Sequence, residues 1–190
     1  MKNRNELFVV VATAAVFAVL LISTLGTGTG CVNRDRAKRA YCCNNLKQIG
    51  LATWQYAMSY DDWYPTSVST TKPNWLRANS GDSLDLLRRQ DLLTDPKDYL
   101  CPSKKGVTAA QPNQTVKGHV SYNWCDGLMA GAFTMSPIAC DGTDNHRYDG
   151  RFLRCDGSVG TASGSRSTSW TQNREFRDSC YDKTYTDFSF

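Results

Sequence analysis

The chain has 190 residues, eight cysteines and a formal net charge of +4 at pH 7. This charge is small and no long basic run suits nucleic acid, so no nucleic-acid partner is expected. Eight cysteines in a chain of this size, rich in Gly, Ser, Thr and Asp, indicate disulfides made outside the cytoplasm. Because no CxxC…CxxC spacing occurs, a zinc framework is not expected.

An apolar segment without any charged residue runs from Leu7 to Leu25. Its 19 residues reach about 28 Å as a helix, close to the ~30 Å hydrocarbon thickness of a bilayer. Lys2 and Arg4 precede it and predict a cytoplasmic N-terminus with the remainder outside. The segment therefore predicts a membrane anchor. A cleaved signal peptide is the alternative, although its apolar region is usually only 7–15 residues long.

A second helical stretch is predicted from Asn33 to about Tyr60, where the sequence contains no Pro and one Gly. Pro65 disfavours helix at the residue before it and ends the stretch. The apolar positions recur at helical spacing, so we expect a wide apolar face lying on a globular domain. That face has one central stripe and a second stripe beside it: Leu46, Ile49, Thr53 and Ala57, then Leu51, Trp54 and Met58.

Glycines at 26, 28 and 30 separate the two helical stretches. Gly26, Gly28 and Gly30 predict a weakened point in one long N-terminal helix, because glycine is conformationally free. The expected organisation is an anchor over residues 1–30, an amphipathic continuation over 31–64 and a globular head over 65–190.

The head is predicted from short elements. Residues 82–93 favour a helix capped by Asp82 or Ser83, and residues 98–104 favour a short strand. Residues 118–124 alternate as a strand, and residues 150–162 hold two strand fragments around Asp156-Gly157, a favoured turn dipeptide. The fold class is therefore α+β, with a long N-terminal helix packed on a small antiparallel, disulfide-stapled head.

Several stretches occur in a recognisable order: CCNNLKQIGLATWQYAMSYDDWYP, YLCPSK, SYNW and His146-x9-Asp156-Gly157. Together they resemble pilin-like proteins with a C-terminal H-x9-DG motif, of the planctomycete and verrucomicrobial type. Such proteins are similar at their N-termini to type IV pilins and to pseudopilins of type II secretion. The resemblance covers about residues 6–160.

The resemblance implies a filament subunit whose N-terminal helices bundle in a core. Glu6 resembles the acidic residue that, in pilins, pairs with a neighbouring subunit's terminal amine. A carboxylate at the edge of an apolar helix is costly unless it is paired, and assembly supplies a partner. The alternative is that Glu6 lies at the membrane surface. The residues implied in assembly are Glu6, Leu7, Phe8, Val9, Phe17 and Leu20.

The implied function is that of a non-enzymatic subunit of an extracellular filament, with itself as partner in a helical homopolymer. The chain is expected in the inner membrane before assembly and at the cell surface afterwards, with pilus or secretion assembly machinery as a further partner. The alternatives are a pseudopilin of a secretion system and a membrane-anchored extracytoplasmic binding module. Neither histidine lies in a nucleophile motif, so no catalytic residue is assigned.

His146 stands among several aspartates. No cofactor is expected; calcium is the metal for which candidate ligands can be named, because oxygen-rich loops can hold it. The preferred interpretation is that His146 makes structural hydrogen bonds that fix the turn at Asp156-Gly157. The candidate calcium ligands are Asp141, Asp144, Asp149 and Asp156.

The cysteines allow several pairings, which the sequence does not resolve. Cys125 with Cys140 would close a loop, and Cys155 with Cys180 would tie the tail to the hairpin. Cys42 and Cys43 point about 100° apart on a helix, so they are expected to find different partners. Cys101 is a candidate partner for one of them. Cys31, in the linker, is the candidate for a bridge between subunits.

Overall fold

The computed structural model describes residues 30–68, 77–131, 135–142, 145–146 and 149–163. The chain divides into two compact units, Met1–Ala37 and Lys38–Phe190. All the packing described below belongs to the second unit. The predicted assembly residues, Gly26 and Gly28 lie outside the described residues.

The first helix, α1, spans Gly30–Ser59, close to the predicted 33–60. A run with no interior Pro and many good helix formers permits this length. It ends where Asp61 and Asp62 take positive φ values of 49° and 63°. Short Asx side chains tolerate this left-handed backbone, and it turns the chain away from the helix axis.

One side of α1 is buried, as the periodicity predicted. Leu46, Ile49 and Thr53 are fully buried, and Ala57 is nearly so. The second stripe behaves differently, because its side chains face solvent. Leu51 is 62% exposed, Trp54 42% and Met58 81%. The expectation that both stripes lie on the head is therefore wrong for the second one, since a helix places only one side on its own sheet. We call Leu51, Trp54 and Met58 the outer stripe.

The second helix, α2, spans Arg77–Arg89, so it begins and ends earlier than the predicted 82–93. Asp82 and Ser83 therefore lie inside the helix and do not cap it. The Ser83 hydroxyl instead donates to Asp126 Oδ1 at 2.5 Å. Leu84 and Leu87 are fully buried, as the spacing predicted.

The strand predicted over 98–104 is wrong. A 3-10 helix spans Pro96–Tyr99, with Asp95 as its N-cap accepting from the Lys97 amide at 2.9 Å. A proline in the first helical turn suits this start because its missing N–H would be unpaired there. The Tyr99 hydroxyl donates to the Leu93 carbonyl at 2.7 Å, which closes the segment onto the end of α2.

Four antiparallel strands form one sheet in the order β1-β2-β3-β4. The strands are β1 Tyr122–Trp124, β2 Pro137–Asp141, β3 Asp149–Arg154 and β4 Val159–Ser163. The β3–β4 hairpin around Asp156-Gly157 confirms the predicted turn. Strand β2 was not predicted, because its run is buried along its whole length and shows no alternation.

The core lies where the helices meet this sheet. Trp124 of β1 is fully buried; its indole N–H donates to the Pro65 carbonyl at 2.7 Å and its amide to Ser80 Oγ of α2 at 2.9 Å. Helix α1 approaches β3 so closely that a Cβ on Gly50 would stand 2.9 Å from Leu153 Cδ1. The fold is therefore α+β, a helix packed on a small antiparallel sheet with a disulfide.

Within the described residues, no helix has both the length and the apolar character needed to cross a bilayer. The predicted anchor, Leu7–Leu25, lies outside those residues.

Candidate functional site

A disulfide joins Cys42 of α1 to Cys101, two residues after the 3-10 helix. The two Cα atoms are 5.2 Å apart, and both residues are buried. The sequence left open whether Cys42 or Cys43 would reach Cys101. Cys42 does so because it faces the sheet, whereas Cys43 is only half-buried beside it.

His146 lies against this disulfide. Its Nε2 atom is 3.3 Å from the Cys42 sulfur and 3.4 Å from the Cys101 sulfur. The same nitrogen is 3.6 Å from Asp141 Oδ2. All four residues are at least nine-tenths buried, and one ligand atom from each lies within 4.8 Å of the others. We call these residues the Cys–His–Asp cluster.

Asp141 ends strand β2, and its carboxylate is well supported. Oδ1 accepts from the Asn145 side-chain amide at 3.1 Å, and Oδ2 accepts from the Arg151 backbone amide at 2.9 Å. Burial away from water raises the pKa of Asp141 to about 6, although these hydrogen bonds act in the opposite direction. A nearly inaccessible carboxyl is thus held in one orientation toward His146.

The loops around the cluster are tied to each other. Asn145 also donates to the Ser121 carbonyl at 2.9 Å, and the Ser121 hydroxyl accepts from the Cys101 amide. On α1, the Asn45 side chain donates to the Leu100 carbonyl at 2.8 Å. Each cluster residue therefore sits on a segment whose position is fixed by a second contact.

The three candidate calcium ligands within the described residues, Asp141, Asp149 and Asp156, do not converge. Asp149 pairs with the guanidinium groups of Arg39 and Arg151, each at 3.1 Å. Asp156 lies beyond the opposite end of β3, and a strand of six residues is about 20 Å long. Asp141 faces the cluster, and Asp144 lies outside the described residues.

His146 does not fix the turn at Asp156-Gly157, contrary to the prediction, because β3 separates the two. The turn is closed by its own residues. The Ser158 amide donates to Asp156 Oδ1 at 2.8 Å and the Gly157 amide to the Arg154 carbonyl at 2.9 Å. Gly157 has φ 79°, a backbone conformation that favours glycine. We call residues 155–158 the DG turn.

The DG turn contacts α1 at a second place. The Trp54 indole N–H donates to the Cys155 carbonyl at 3.1 Å, and the Tyr64 hydroxyl donates to the same oxygen at 3.2 Å. A surface groove of about 380 Å³ lies here, lined by Lys47, Gly50, Leu51, Trp54, Asp156 and Gly157. The two halves of the H-x9-DG motif therefore contact the same helix at separate points, near residue 42 and near residues 47–54.

The structure gives little support to the other predicted cysteine pairings. The sheet register places Cys140 opposite Asn123, not Cys125, and diagonal neighbours across strands are too far apart for a disulfide. Burial raises the pKa of the Cys155 thiol to about 12. Its predicted partner Cys180 and the side chain of Cys31 lie outside the described residues.

Sequence reasoning named every member of the Cys–His–Asp cluster but did not group them. Positions 42, 101, 141 and 146 share no local spacing, so only the fold brings them together. The available signal was the neighbourhood of Asp141 and His146, five residues apart on a turn after a strand.

The class that the fold defines is an α+β head with a helix packed against a small antiparallel sheet. A family model described as a protein of unknown function (DUF1559; SBP_bac_10) matches residues 33–96. This segment contains most of α1, all of α2 and, within the cluster, Cys42 alone. No curated protein and no solved structure matches the chain.

Proposed function

We propose that this chain is a non-enzymatic, pilin-like structural subunit that polymerises through its N-terminal helix. The observation that carries the proposal is the outer stripe on α1. Leu51, Trp54 and Met58 are spaced by three and four residues, so they form one apolar row that is exposed to solvent along α1, beside the DG turn. Such a row costs free energy in water, and a neighbouring helix in a filament would cover it.

Two further features support the same function. The residues ahead of α1 include the apolar 7–25 segment with Glu6 at its edge, which is the composition of a filament-core helix. The match to the DUF1559 family over residues 33–96 fits a pilin-like chain. In this proposal, burial of apolar helices drives assembly, Glu6 sets the register and the disulfide hardens the head.

The test is electron microscopy of filaments from cells that express the full chain. We expect Leu51→Glu and Met58→Glu to abolish or shorten filaments, because each buries a charge between helices. Gln111→Glu is the matched control: it adds the same charge to an exposed position of the head outside α1. Filaments of normal number and length in both stripe variants would overturn the proposed interface.

The experiment also separates the alternatives. Short, low-copy structures restricted to the envelope would favour a pseudopilin. A stable monomer in detergent, without fibres at high concentration, would favour an anchored binding module. For that module the structure offers a second surface groove of about 390 Å³, beside Tyr41, Asn45 and Lys97.

A further inference from the structure

We propose that the Cys–His–Asp cluster is a site for a zinc-type divalent cation when Cys42 and Cys101 are reduced, and that the disulfide and the metal are alternative ways of closing the same site. This inference does not depend on filament assembly. It concerns a buried group of side chains that neither the filament proposal nor the family match explains.

The distances between the cluster side chains already approach those of a tetrahedral zinc site. A tetrahedral zinc site with metal–ligand distances of about 2.0–2.3 Å has ligand atoms about 3.3–3.8 Å from one another. His146 Nε2 lies 3.3 and 3.4 Å from the two sulfurs and 3.6 Å from Asp141 Oδ2. Three edges of such a tetrahedron are therefore already present. The sulfurs would have to separate from bonded contact to the spacing of two thiolate ligands, and an Asp141 carboxylate oxygen already lies within 4.8 Å of both.

The disulfide alone does not explain why His146 and Asp141 are buried beside it. A disulfide needs neither an imidazole nor a carboxylate beside it. Burying a carboxylate costs free energy unless it is paired, hydrogen-bonded or bound to a metal. Asp141 is completely inaccessible and His146 only 6% exposed. Two thiolates, one imidazole and one carboxylate form a donor set that suits zinc, and two negative sulfurs with a carboxylate offset its charge.

Groups outside the cluster hold the Asp141 carboxylate in a fixed orientation through hydrogen bonds. Metal-binding carboxylates in proteins are usually oriented by hydrogen bonds from outside the ligand shell. Asp141 has such contacts from Asn145 and from the Arg151 backbone amide. The ligands also come from α1, the loop after the 3-10 helix, the end of β2 and the loop that follows it. A metal would thus link α1 to the loop after the 3-10 helix, as the disulfide does, and would also hold the end of β2 and the loop that follows it.

The chemistry balances in both directions. When the ion binds the reduced site, the two thiols lose two protons and become thiolate ligands. A small-molecule or protein disulfide then takes two electrons from these thiolates. The Cys42–Cys101 bond forms, the oxidant's S–S bond breaks to give two thiolates, and the cation leaves with its charge unchanged.

The experiment is a cobalt titration of the full chain in detergent, prepared with its cysteines reduced by a phosphine, which supplies no competing thiol. We expect one equivalent of Co²⁺ per chain, a thiolate-to-cobalt charge-transfer band, and displacement of Co²⁺ by Zn²⁺. The oxidised chain should lack this equivalent. His146→Ala and Asp141→Ala should weaken binding at least tenfold.

Two controls identify the site among eight cysteines. Cys43→Ser changes the neighbouring thiol on the same helix and should bind as the unsubstituted chain does. Cys42→Ser/Cys101→Ser should lose the equivalent. The proposal is overturned if the double variant retains it, if Cys43→Ser loses it equally, or if the oxidised chain binds as tightly.

X-ray absorption of the zinc-loaded, unsubstituted chain keeps the test decisive even if a variant fails to fold. We expect two sulfurs at about 2.3 Å and two nitrogen or oxygen ligands at about 2.0–2.2 Å. A shell of four sulfurs, or one with no sulfur, would refute the assigned ligand set.

Discussion

Helix α1 is held to the head at two places that differ in kind. At the Cys–His–Asp cluster the contact is covalent and polar: a disulfide, an imidazole and a buried carboxylate on segments distant in the sequence. At the DG turn the contact is a hydrogen bond from Trp54 to the Cys155 carbonyl, next to the close packing of Gly50 on Leu153 of β3. The first place joins separate segments, whereas the second rests on one hairpin.

This difference predicts different effects of substitutions at the two places on the stability of the head. A covalent link acts mainly by restricting the unfolded chain, so its removal affects the whole head. Packing and neutral hydrogen bonds act locally, with contributions of about 1 kcal/mol each. The two places of attachment, called below the cluster end and the DG-turn end, also differ in electrostatics. The cluster holds Asp141 away from water, whereas the DG turn leaves Asp156 exposed. The following predictions separate the two ends.

The largest effect is expected from Cys42→Ala/Cys101→Ala in the oxidised chain. The bridged residues are 59 positions apart, and closing a loop of that length contributes about 4 kcal/mol in the chain-entropy model. We therefore expect the free energy of unfolding of the head to fall by about that amount, measured by denaturant titration with tryptophan fluorescence. Cys43→Ala is the control, and a double variant within about 1 kcal/mol of it would show that the cluster end is not the stronger attachment.

An effect of intermediate size is expected in the pH dependence of the free energy of unfolding. Asp141 has a pKa raised from 3.8 to about 6, so the folded state binds its proton more tightly than the unfolded state does. The stability of the unsubstituted chain relative to Asp141→Asn should therefore fall as pH rises from about 4 to about 6, by on the order of 2–3 kcal/mol.

The DG turn should show the opposite sign. The Ser158 hydrogen bonds lower the pKa of Asp156, so its contribution is present above about pH 4 and is lost as pH falls further. Stability relative to Asp156→Asn should therefore decrease on acidification. Urea titrations at several pH values measure both profiles, and parallel profiles for the two variants would contradict this electrostatic distinction between the ends.

The smallest effect is expected from Gly50→Ala at the packing contact. The new Cβ would stand 2.9 Å from Leu153 Cδ1, and Leu153 is fully buried and cannot move into solvent. Overpacking of this kind costs about 1–3 kcal/mol, while alanine in a helix recovers up to about 1 kcal/mol. We expect a net loss of about 1 kcal/mol in the same denaturant titration.

Gln48→Ala, at an exposed position of the same helix, is the matched control for helix propensity. It should leave the free energy of unfolding nearly unchanged. If Gly50→Ala is more stable than Gln48→Ala, the contact with Leu153 is looser than its geometry indicates.

The sequence by itself determined the elements that depend on local physics. A long run without proline favours the helix α1. Its buried side follows from the helical spacing of four residues: Leu46, Ile49, Thr53 and Ala57. The dipeptide Asp156-Gly157 favours the β3–β4 turn. It also gave the α+β class and a disulfide to Cys101. These features follow from backbone preference and periodicity, which neighbouring residues alone can specify.

Only the tertiary structure decided the rest. Strand β2 has no alternation because it is buried along its whole length. The 3-10 helix at Pro96–Tyr99 is different, because its Asp95 cap and Pro96 are local signals that the sequence prediction missed. The exposure of Leu51, Trp54 and Met58 depends on how much of α1 the sheet can cover. His146 was predicted to fix a turn ten residues along the chain, yet it lies against Cys42 and Cys101. Contacts between distant segments are set by the register of the whole fold, which no local pattern encodes.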